Sequence, residues 1–239
     1  ESISAFDFAI ISDDQFVSAY IEKAKVLEKV KRYNEALENY RLSIELSEPN
    51  SFVYYRIAKC YIKINNKKLF IDFIKKSVRE EPGNEKAWIF LIKYYLKNNN
   101  FRQAKYLSSK ALINNHNSIK ILRLNAIIHK EIGDTREAIK FYNQILDFKE
   151  NLSWKIWKGL LKCLIDNKEW SELLRTSLKA KKHYPNKAFL DFIISGCLLK
   201  NGKINEAIYF YQSGKKTCQV PEKLIKYFPE FNENKTLLV

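Results

Sequence analysis

The sequence predicts an all-α fold, a solenoid of antiparallel helix pairs stacked in one array. Three observations lead to this prediction. First, the stretch KRYNEALENY at 31–40 recurs as GDTREAIKFY at 133–142 and as GKINEAIYFY at 202–211. The alanines of the three copies are 102 and 69 residues apart, which indicates a period near 34. Second, each period holds two apolar stretches with helical spacing. Third, the 239 residues include only 6 Gly and 5 Pro, too few for a fold built from β-hairpins.

Six repeats of 34 or 35 residues follow one another along the chain. Polar segments such as SEPNS at 47–51 and HYPNK at 183–187 stop one helix and begin the next. The predicted array spans 1–221, and residues 1–16 are the end of a preceding repeat. Residues 222–239 are predicted to be a C-terminal cap or tail, because a stacked array must cover the apolar face of its last repeat. The predicted repeats are 17–50, 51–84, 85–118, 119–153, 154–187 and 188–221.

Small residues recur at two places of the repeat, one on each helix. Alanine at these places lets two helix backbones approach closely, while large residues at neighbouring places surround the crossing. Trp88 and Trp157 share one aromatic place, and Tyr40 and Tyr142 share another. The recurring small residues are Ala24, Ala58 and Ala126 on first helices, and Ala36, Ala104, Ala138 and Ala207 on second helices.

This order of an aromatic residue, a small residue, a polar turn, Glu-Ala, an aromatic residue and a closing Pro resembles the tetratricopeptide repeat (TPR) of the helical-repeat superfamily. The resemblance covers roughly 17–221, and repeats 85–118 and 154–187 follow the pattern well. It implies a right-handed α-solenoid in which first helices line a concave groove and second helices form the convex back. Three residues depart from the pattern and predict weaker packing, namely Lys23, Asn125 and Asp191.

No catalytic or metal-binding constellation is visible, so the sequence predicts a protein that is not an enzyme and has no cofactor or metal. The three histidines lack the spacing of known metal motifs. Cys60, Cys163 and Cys197 share one place in their repeats, which predicts small buried side chains rather than a disulfide or a zinc site. Unpaired cysteines are typical of a reducing compartment and predict a cytoplasmic location. No uncharged apolar window is long enough to predict a membrane span.

The net charge of +15 and the pI of about 9.5 favour acidic partners, which include acidic peptides, nucleic acids and anionic lipids. The charge comes from 34 Lys against 8 Arg, and lysine lacks the bidentate geometry with which arginine recognises phosphate. A general enrichment in Lys, Asn and Ile is an alternative origin of this charge.

Four places on each first helix, spaced 3, 4 and 4 residues apart, lie on one face, which we call the basic face. Of these 24 places, 13 are basic and 2 acidic, whereas 36 outward places on the second helices hold 13 basic and 8 acidic residues. Like charges four residues apart on a helix repel each other. Because this arrangement is unfavourable by itself, the enrichment in basic residues predicts an acidic ligand. The alternative is a lysine-rich surface that is only solvated. The predicted partner-binding residues are Lys25, Lys29, Tyr55, Lys59, Lys63, Lys86, Lys93, Lys97, Lys120, Arg123, Lys155, Lys158 and Lys162.

Aromatic residues on the same face, Phe52, Tyr55, Phe189 and Phe192, are either apolar anchors for a ligand or part of the core. The sequence therefore predicts a scaffold or adaptor that holds an acidic, extended segment or domain of another protein in the groove. The alternative is a helical-repeat RNA-binding protein, which needs aromatic or arginine platforms for bases. A lysine-rich face predicts only weak, non-specific binding of nucleic acid.

One TPR subgroup clamps the terminal carboxylate of chaperone tails. The resemblance to that subgroup implies asparagines at the places that Lys25 and Lys59 occupy here. The sequence therefore does not predict this clamp.

Overall fold

The computed structural model describes residues 2–48, 50–148 and 152–233, and within these ranges it consists of helices and turns without a β-strand. The helices are α1 (Ser2–Ser12), α2 (Val17–Lys29), α3 (Tyr33–Glu45), α4 (Ser51–Lys63), α5 (Lys67–Glu80), α6 (Glu85–Lys97), α7 (Phe101–Asn114), α8 (Ile119–Glu131), α9 (Thr135–Phe148), α10 (Trp154–Asp166), α11 (Trp170–His183), α12 (Ala188–Lys200), α13 (Ile204–Lys215), α14 (Glu222–Ile225) and α15 (Glu230–Glu233).

Each predicted repeat range contains two helices, from α2 and α3 in the first to α12 and α13 in the last. Helix α1 precedes the first range, and α14 and α15 follow the last. The chain forms two compact units, Glu1–Leu124 (unit 1) and Asn125–Val239 (unit 2), and their boundary falls within α8. The division into repeats remains a prediction, and residues 234–239 of the predicted cap lie outside the described part.

A turn with one left-handed residue joins the two helices of every pair. In each turn, the N–H of the residue after the left-handed one donates to the carbonyl oxygen five residues earlier, at N–O distances of 2.8–3.1 Å. This is the Schellman arrangement, which satisfies carbonyl groups at a helix end. The left-handed residues lie 34 or 35 positions apart and are Lys31, Asn65, Asn99, Gly133, Lys168 and Gly202.

Asparagine begins several of the helices. The side chains of Asn50, Asn66, Asn84 and Asn100 each accept a hydrogen bond from a backbone N–H in the first turn of α4, α5, α6 and α7. Asparagine is among the best residues for this capping. Part of the high asparagine content therefore has a structural use.

The alanines that were predicted to lie at helix crossings are fully buried in both units, at 0% exposure. They are Ala24, Ala36, Ala58 and Ala104 in unit 1, and Ala126, Ala138 and Ala207 in unit 2. Large side chains such as Tyr40, Phe70 and Trp157 are also buried. This alternation of small and large side chains forms the close-packed core of each unit.

Two of the three residues predicted to mark weaker packing form ion pairs. Lys23 of α2 lies 2.6 Å from a carboxylate oxygen of Asp7 in α1. Asp191 of α12 is buried and lies 2.7 Å from Nζ of Lys181 in α11. The buried carboxylate of Asp191 is therefore neutralised by a lysine of the preceding second helix.

The C-terminal segment, residues 221–231, packs on α12 in unit 2. The ring of Phe228 lies directly over Gly196, because a Cβ atom added to Gly196 would approach it to 2.4 Å. Phe228 also contacts Trp170, and Phe231 contacts Tyr211. Phe228 and Phe231 are buried. These contacts place the C-terminal segment over residues that belong to the basic face of α12.

Candidate functional site

In unit 1 the basic face is continuous from α2 to the start of α8, because side chains join each first helix to the next. Lys59 of α4 is ion-paired with Glu28 of α2. The rings of Tyr55 in α4 and Phe90 in α6 meet edge to face, with centroids 5.9 Å apart. Glu85 of α6 lies 3.3 Å from Lys120 of α8.

Three of the predicted partner-binding lysines have carboxylate partners within unit 1. Lys25 pairs with Glu22 on its own helix. The Nζ of Lys59 lies 2.7 Å from Oε1 of Glu28. Lys120 pairs with Glu85. The hydrogen bond from Ser118, and to a lesser extent Lys120, lowers the pKa of Glu85 against the opposing effect of burial. These lysines are partly neutralised within the chain.

Glu28 is a residue of this surface that was not predicted from the sequence. Its side chain, only 11% exposed, binds Lys59 and also Arg56, whose Nε lies 2.9 Å from Oε2. Arg56 in turn donates to the hydroxyl of Tyr40 at 3.0 Å. A signal existed: at the place of Glu28 the other repeats have the apolar residues Ile62, Leu96, Ile165 and Leu199, or Lys130. A charge at a place that is otherwise mostly apolar indicates a paired side chain.

The other predicted cations of unit 1 have no ion-pair partner among the residues that the structure describes. Three of them, Lys29, Lys63 and Lys97, are the last residues of α2, α4 and α6, where a cation interacts favourably with the helix dipole. Lys86 lies in the first turn of α6, where a cation is unfavourable, and Lys93 lies on an exposed face of α6. Arg123 of α8 is half-buried.

Two aromatic residues lie among these cations. Phe52 is 42% exposed, and its ring is 5.1 Å from Nζ of Lys25 and 5.7 Å from the guanidinium carbon of Arg56. Tyr55 is half-buried, and Nζ of Lys59 is 6.0 Å from its ring centroid. Cations over ring faces are attracted to them. The exposed ring of Phe52 remains available for an apolar contact.

In unit 2 the basic face differs between α10 and α12. Lys155, Lys158 and Lys162 of α10 are exposed, and the described residues provide no carboxylate within ion-pair distance of them. On α12, Phe192 is fully buried and belongs to the core, whereas Phe189 is half-buried. The C-terminal segment covers the remainder of this face.

Two polar contacts hold the C-terminal segment on this face. Lys200 of α12 pairs with Glu230 at 2.9 Å. The hydroxyl of Tyr227 donates to Asp166 of α10 at 2.7 Å. The C-terminal segment therefore binds the last two first helices with aromatic rings and one carboxylate.

A cavity of about 870 Å³ lies in unit 2 between α10, the start of α12 and α14. Apolar residues in its lining include Trp154, Phe189 and Leu224, and its polar lining is mainly lysine. Although Lys162 is exposed to solvent, partial burial in the cavity and the ammonium groups of Lys130, Lys158 and Lys223 lower its pKa, against the opposing charge of Asp166.

The three buried cysteines show none of the features of a reactive site. Cys60, Cys163 and Cys197 are buried, and burial raises their pKa to about 12, 11 and 12. A thiol with so high a pKa is not a nucleophile near neutral pH. Cys218 is exposed and lines the cavity of unit 2.

Nowhere in the described residues do three or more His, Cys, Asp or Glu side chains come together as metal ligands would. None of their helices has the length and the apolar character that crossing a membrane requires. The absence of catalysis and the cytoplasmic location remain predictions.

Comparison with known proteins identifies the repeat. The sequence model of the tetratricopeptide repeat family matches residues 17–50 and 53–84. The tetratricopeptide repeat-containing protein trd-1 of Caenorhabditis elegans is 24% identical over 140 residues, which cover 59% of this chain and 18% of that protein. The chain thus corresponds to less than a fifth of this relative's length.

Two solved structures have a similar fold. The C-terminal part of a TPR repeat-containing protein from Cytophaga hutchinsonii has a TM-score of 0.65 at 16% identity, covering 91% of this chain and 90% of that one. Pseudomonas aeruginosa pilF has a TM-score of 0.60 at 12% identity, covering 92% and 98%. These likenesses confirm the predicted all-α solenoid of helix pairs. The family's sequence model in the first two repeats, together with this fold, supports the predicted tetratricopeptide repeat protein.

Proposed function

We propose that the chain is a protein-interaction scaffold whose basic face in unit 1 binds an acidic, extended segment of a partner protein. The observation that carries this proposal is the set of exposed lysines on α4 and α6 without carboxylate partners in the described residues, next to the exposed ring of Phe52. Helical-repeat arrays offer extended surfaces of this kind to their partners.

The helix dipole alone does not account for these lysines. It favours Lys63 and Lys97 at the ends of their helices, but it disfavours Lys86 at the start of α6. Lys93 and Lys97 also repel each other across one helical turn. The presence of cations at these unfavourable positions is explained if an anionic ligand neutralises them.

Charge and apolar contact would contribute differently to binding. Exposed lysines speed association and select for acidic segments, but each contributes little affinity. Phe52 offers an apolar contact that the lysines lack. The preferred ligand is therefore a segment in which Asp or Glu residues accompany an apolar or aromatic side chain.

A charge reversal tests the proposal. The variant carries K63E, K93E and K97E, and its matched control carries K68E, K75E and K105E, exposed lysines on the second helices α5 and α7 of the same unit. The probe is a fluorescein-labelled peptide of alternating Glu and Phe residues, measured by anisotropy. We expect the first variant to bind at least about tenfold more weakly, because three attractive contacts become repulsive, and the control to change far less. Equal losses in both variants would refute a defined site.

An RNA titration addresses the alternative function. Lysine contacts to phosphate should give binding that falls steeply with salt and shows no base preference. A sequence-selective RNA complex that persists at about 0.15 M salt would replace the proposal with RNA recognition.

A further inference from the structure

One place of the repeat holds opposite charges in the two units. Glu28 of α2 and Lys130 of α8 occupy the twelfth place of their repeats, and Lys59 and Lys162 occupy the ninth place of the repeats that follow. In unit 1 this pair of places forms the ion pair between Glu28 and Lys59. In unit 2 the same two places bring Lys130 near Lys162, so an attraction is replaced by a repulsion.

The protein relieves this repulsion only in part, through the carboxylate of Asp166. The lining of the cavity includes five lysines and two carboxylates, an excess of three positive charges. One of the carboxylates, Asp166, already accepts the hydrogen bond from Tyr227. None of the five lysines has an ion-pair partner in residues 152–233 or elsewhere in the described chain. The lysines are Lys130, Lys158, Lys162, Lys187 and Lys223.

The C-terminal segment makes this surface a cavity. Pro221, Leu224 and Tyr227 form one of its walls. The wall is held in place by Phe228 over Gly196 and by the ion pair between Lys200 and Glu230. Unit 1 has an open basic face instead, so the two surfaces suit different ligands.

We propose that this cavity binds a small organic phosphate, with at least two negative charges and an apolar group. The volume of about 870 Å³ lies within the range of small-molecule sites. A di- or triphosphate balances the excess positive charge. Lysine lacks the planar, two-pronged donor geometry of arginine, so a lysine-lined cavity recognises the charge of a phosphate rather than its geometry. Trp154, Phe189 and Leu224 supply an apolar surface for the organic part.

Calorimetry on the full chain tests the proposal with adenosine diphosphate, inorganic pyrophosphate and citrate as probes at equal ionic strength. We expect adenosine diphosphate to bind with one-to-one stoichiometry, more tightly than pyrophosphate, because only the nucleotide contacts the apolar wall. Pyrophosphate should in turn bind more tightly than citrate. Absence of one-to-one binding by adenosine diphosphate, or tighter binding of citrate, would refute the proposal.

A single substitution separates binding from folding. Lys130→Glu places a glutamate near Lys162, as Glu28 lies near Lys59 in unit 1. The variant should therefore bind adenosine diphosphate at least tenfold more weakly, and its midpoint of thermal unfolding should rise. Lys182→Glu, an exposed lysine of α11, is the matched control and should leave binding within about twofold of the original. Unchanged binding by the Lys130 variant would refute the site. Both variants should keep the acidic-peptide binding of unit 1, so this test is independent of the proposed scaffold function.

Discussion

The Nζ atom of Lys59 lies 2.7 Å from Oε1 of Glu28, so a lysine at the centre of the basic face is neutralised by a glutamate from the preceding first helix. Arg56 binds the same carboxylate at 2.9 Å. An acidic ligand that approaches Lys59 must therefore compete with Glu28. Under the proposed function, such a ligand would bind instead at the lysines further along α4 and α6.

The first prediction concerns Glu28→Gln. It should lower the free energy of unfolding by about 2 kcal/mol, because two partly buried cations lose their counter-charge. The same variant should bind the acidic peptide more tightly, because Lys59 is released. Urea denaturation and peptide anisotropy measure the two effects. Glu137→Gln, which removes the exposed pair with Lys140, is the control and should change neither. Loss of peptide affinity in the Glu28 variant would contradict the competition.

The second prediction concerns the left-handed turns. Lys31 and Lys168 have φ angles of 65° and 58°, a conformation that is unfavourable for residues with a Cβ atom. Lys31→Gly and Lys168→Gly should each raise the free energy of unfolding by about 0.5–1 kcal/mol. This value is the energetic penalty of the left-handed conformation for lysine minus the larger conformational entropy that glycine loses on folding. Gly202→Ala, at φ 72°, should lower it by about 1 kcal/mol. Destabilisation by both lysine-to-glycine changes would show that the turns carry no strain.

The third prediction concerns pH. The hydrogen bond from Ser118 and the charge of Lys120 lower the pKa of Glu85 in the folded chain. The stabilisation is therefore present above the unfolded pKa, about 4.3, and is lost as the pH falls through the folded pKa. Ser118→Ala should raise the pKa of Glu85, as carbon-detected NMR of the carboxyl group would measure. Glu85→Gln should reduce the loss of stability on acidification. An unchanged titration in the Ser118 variant would contradict this assignment.

The fourth prediction concerns the C-terminal segment. Gly196→Ala places a methyl group where the ring of Phe228 lies, 2.4 Å from its nearest atom, so the segment should detach from α12. Trp170, whose ring centroid is 5.4 Å from that of Phe228, should become more exposed, with a red shift of its fluorescence. Proteolysis near Pro229 should accelerate. Gly83→Ala is the control, since no atom lies within 4 Å of its added Cβ. Equal proteolysis of both variants would show that Gly196 does not hold the segment.

The helix pairs and the buried alanines were predictable because they depend on local periodicity and on side-chain size. A cap or tail after the last repeat was predicted, but its position over the basic face of α12 was not predictable, because residues 222–231 lie outside the repeat pattern. Likewise, the partner of Lys59 lies 31 residues away in sequence. To predict this partner from the sequence, one must know how α2 and α4 are aligned with each other as well as the place of each residue within its repeat. Phe192 shares a place with Tyr55 but belongs to the core, since Phe231 and Tyr211 cover it.

The contrast among the four cysteines has a practical consequence. Cys60, Cys163 and Cys197 are buried with raised pKa values, whereas Cys218 is exposed. Maleimide reagents should therefore modify Cys218 alone in the folded protein. Because Cys218 lines the cavity of unit 2, a fluorophore attached there would report occupancy of the cavity and release of the C-terminal segment. The natural sequence thus already contains a unique labelling position for both measurements.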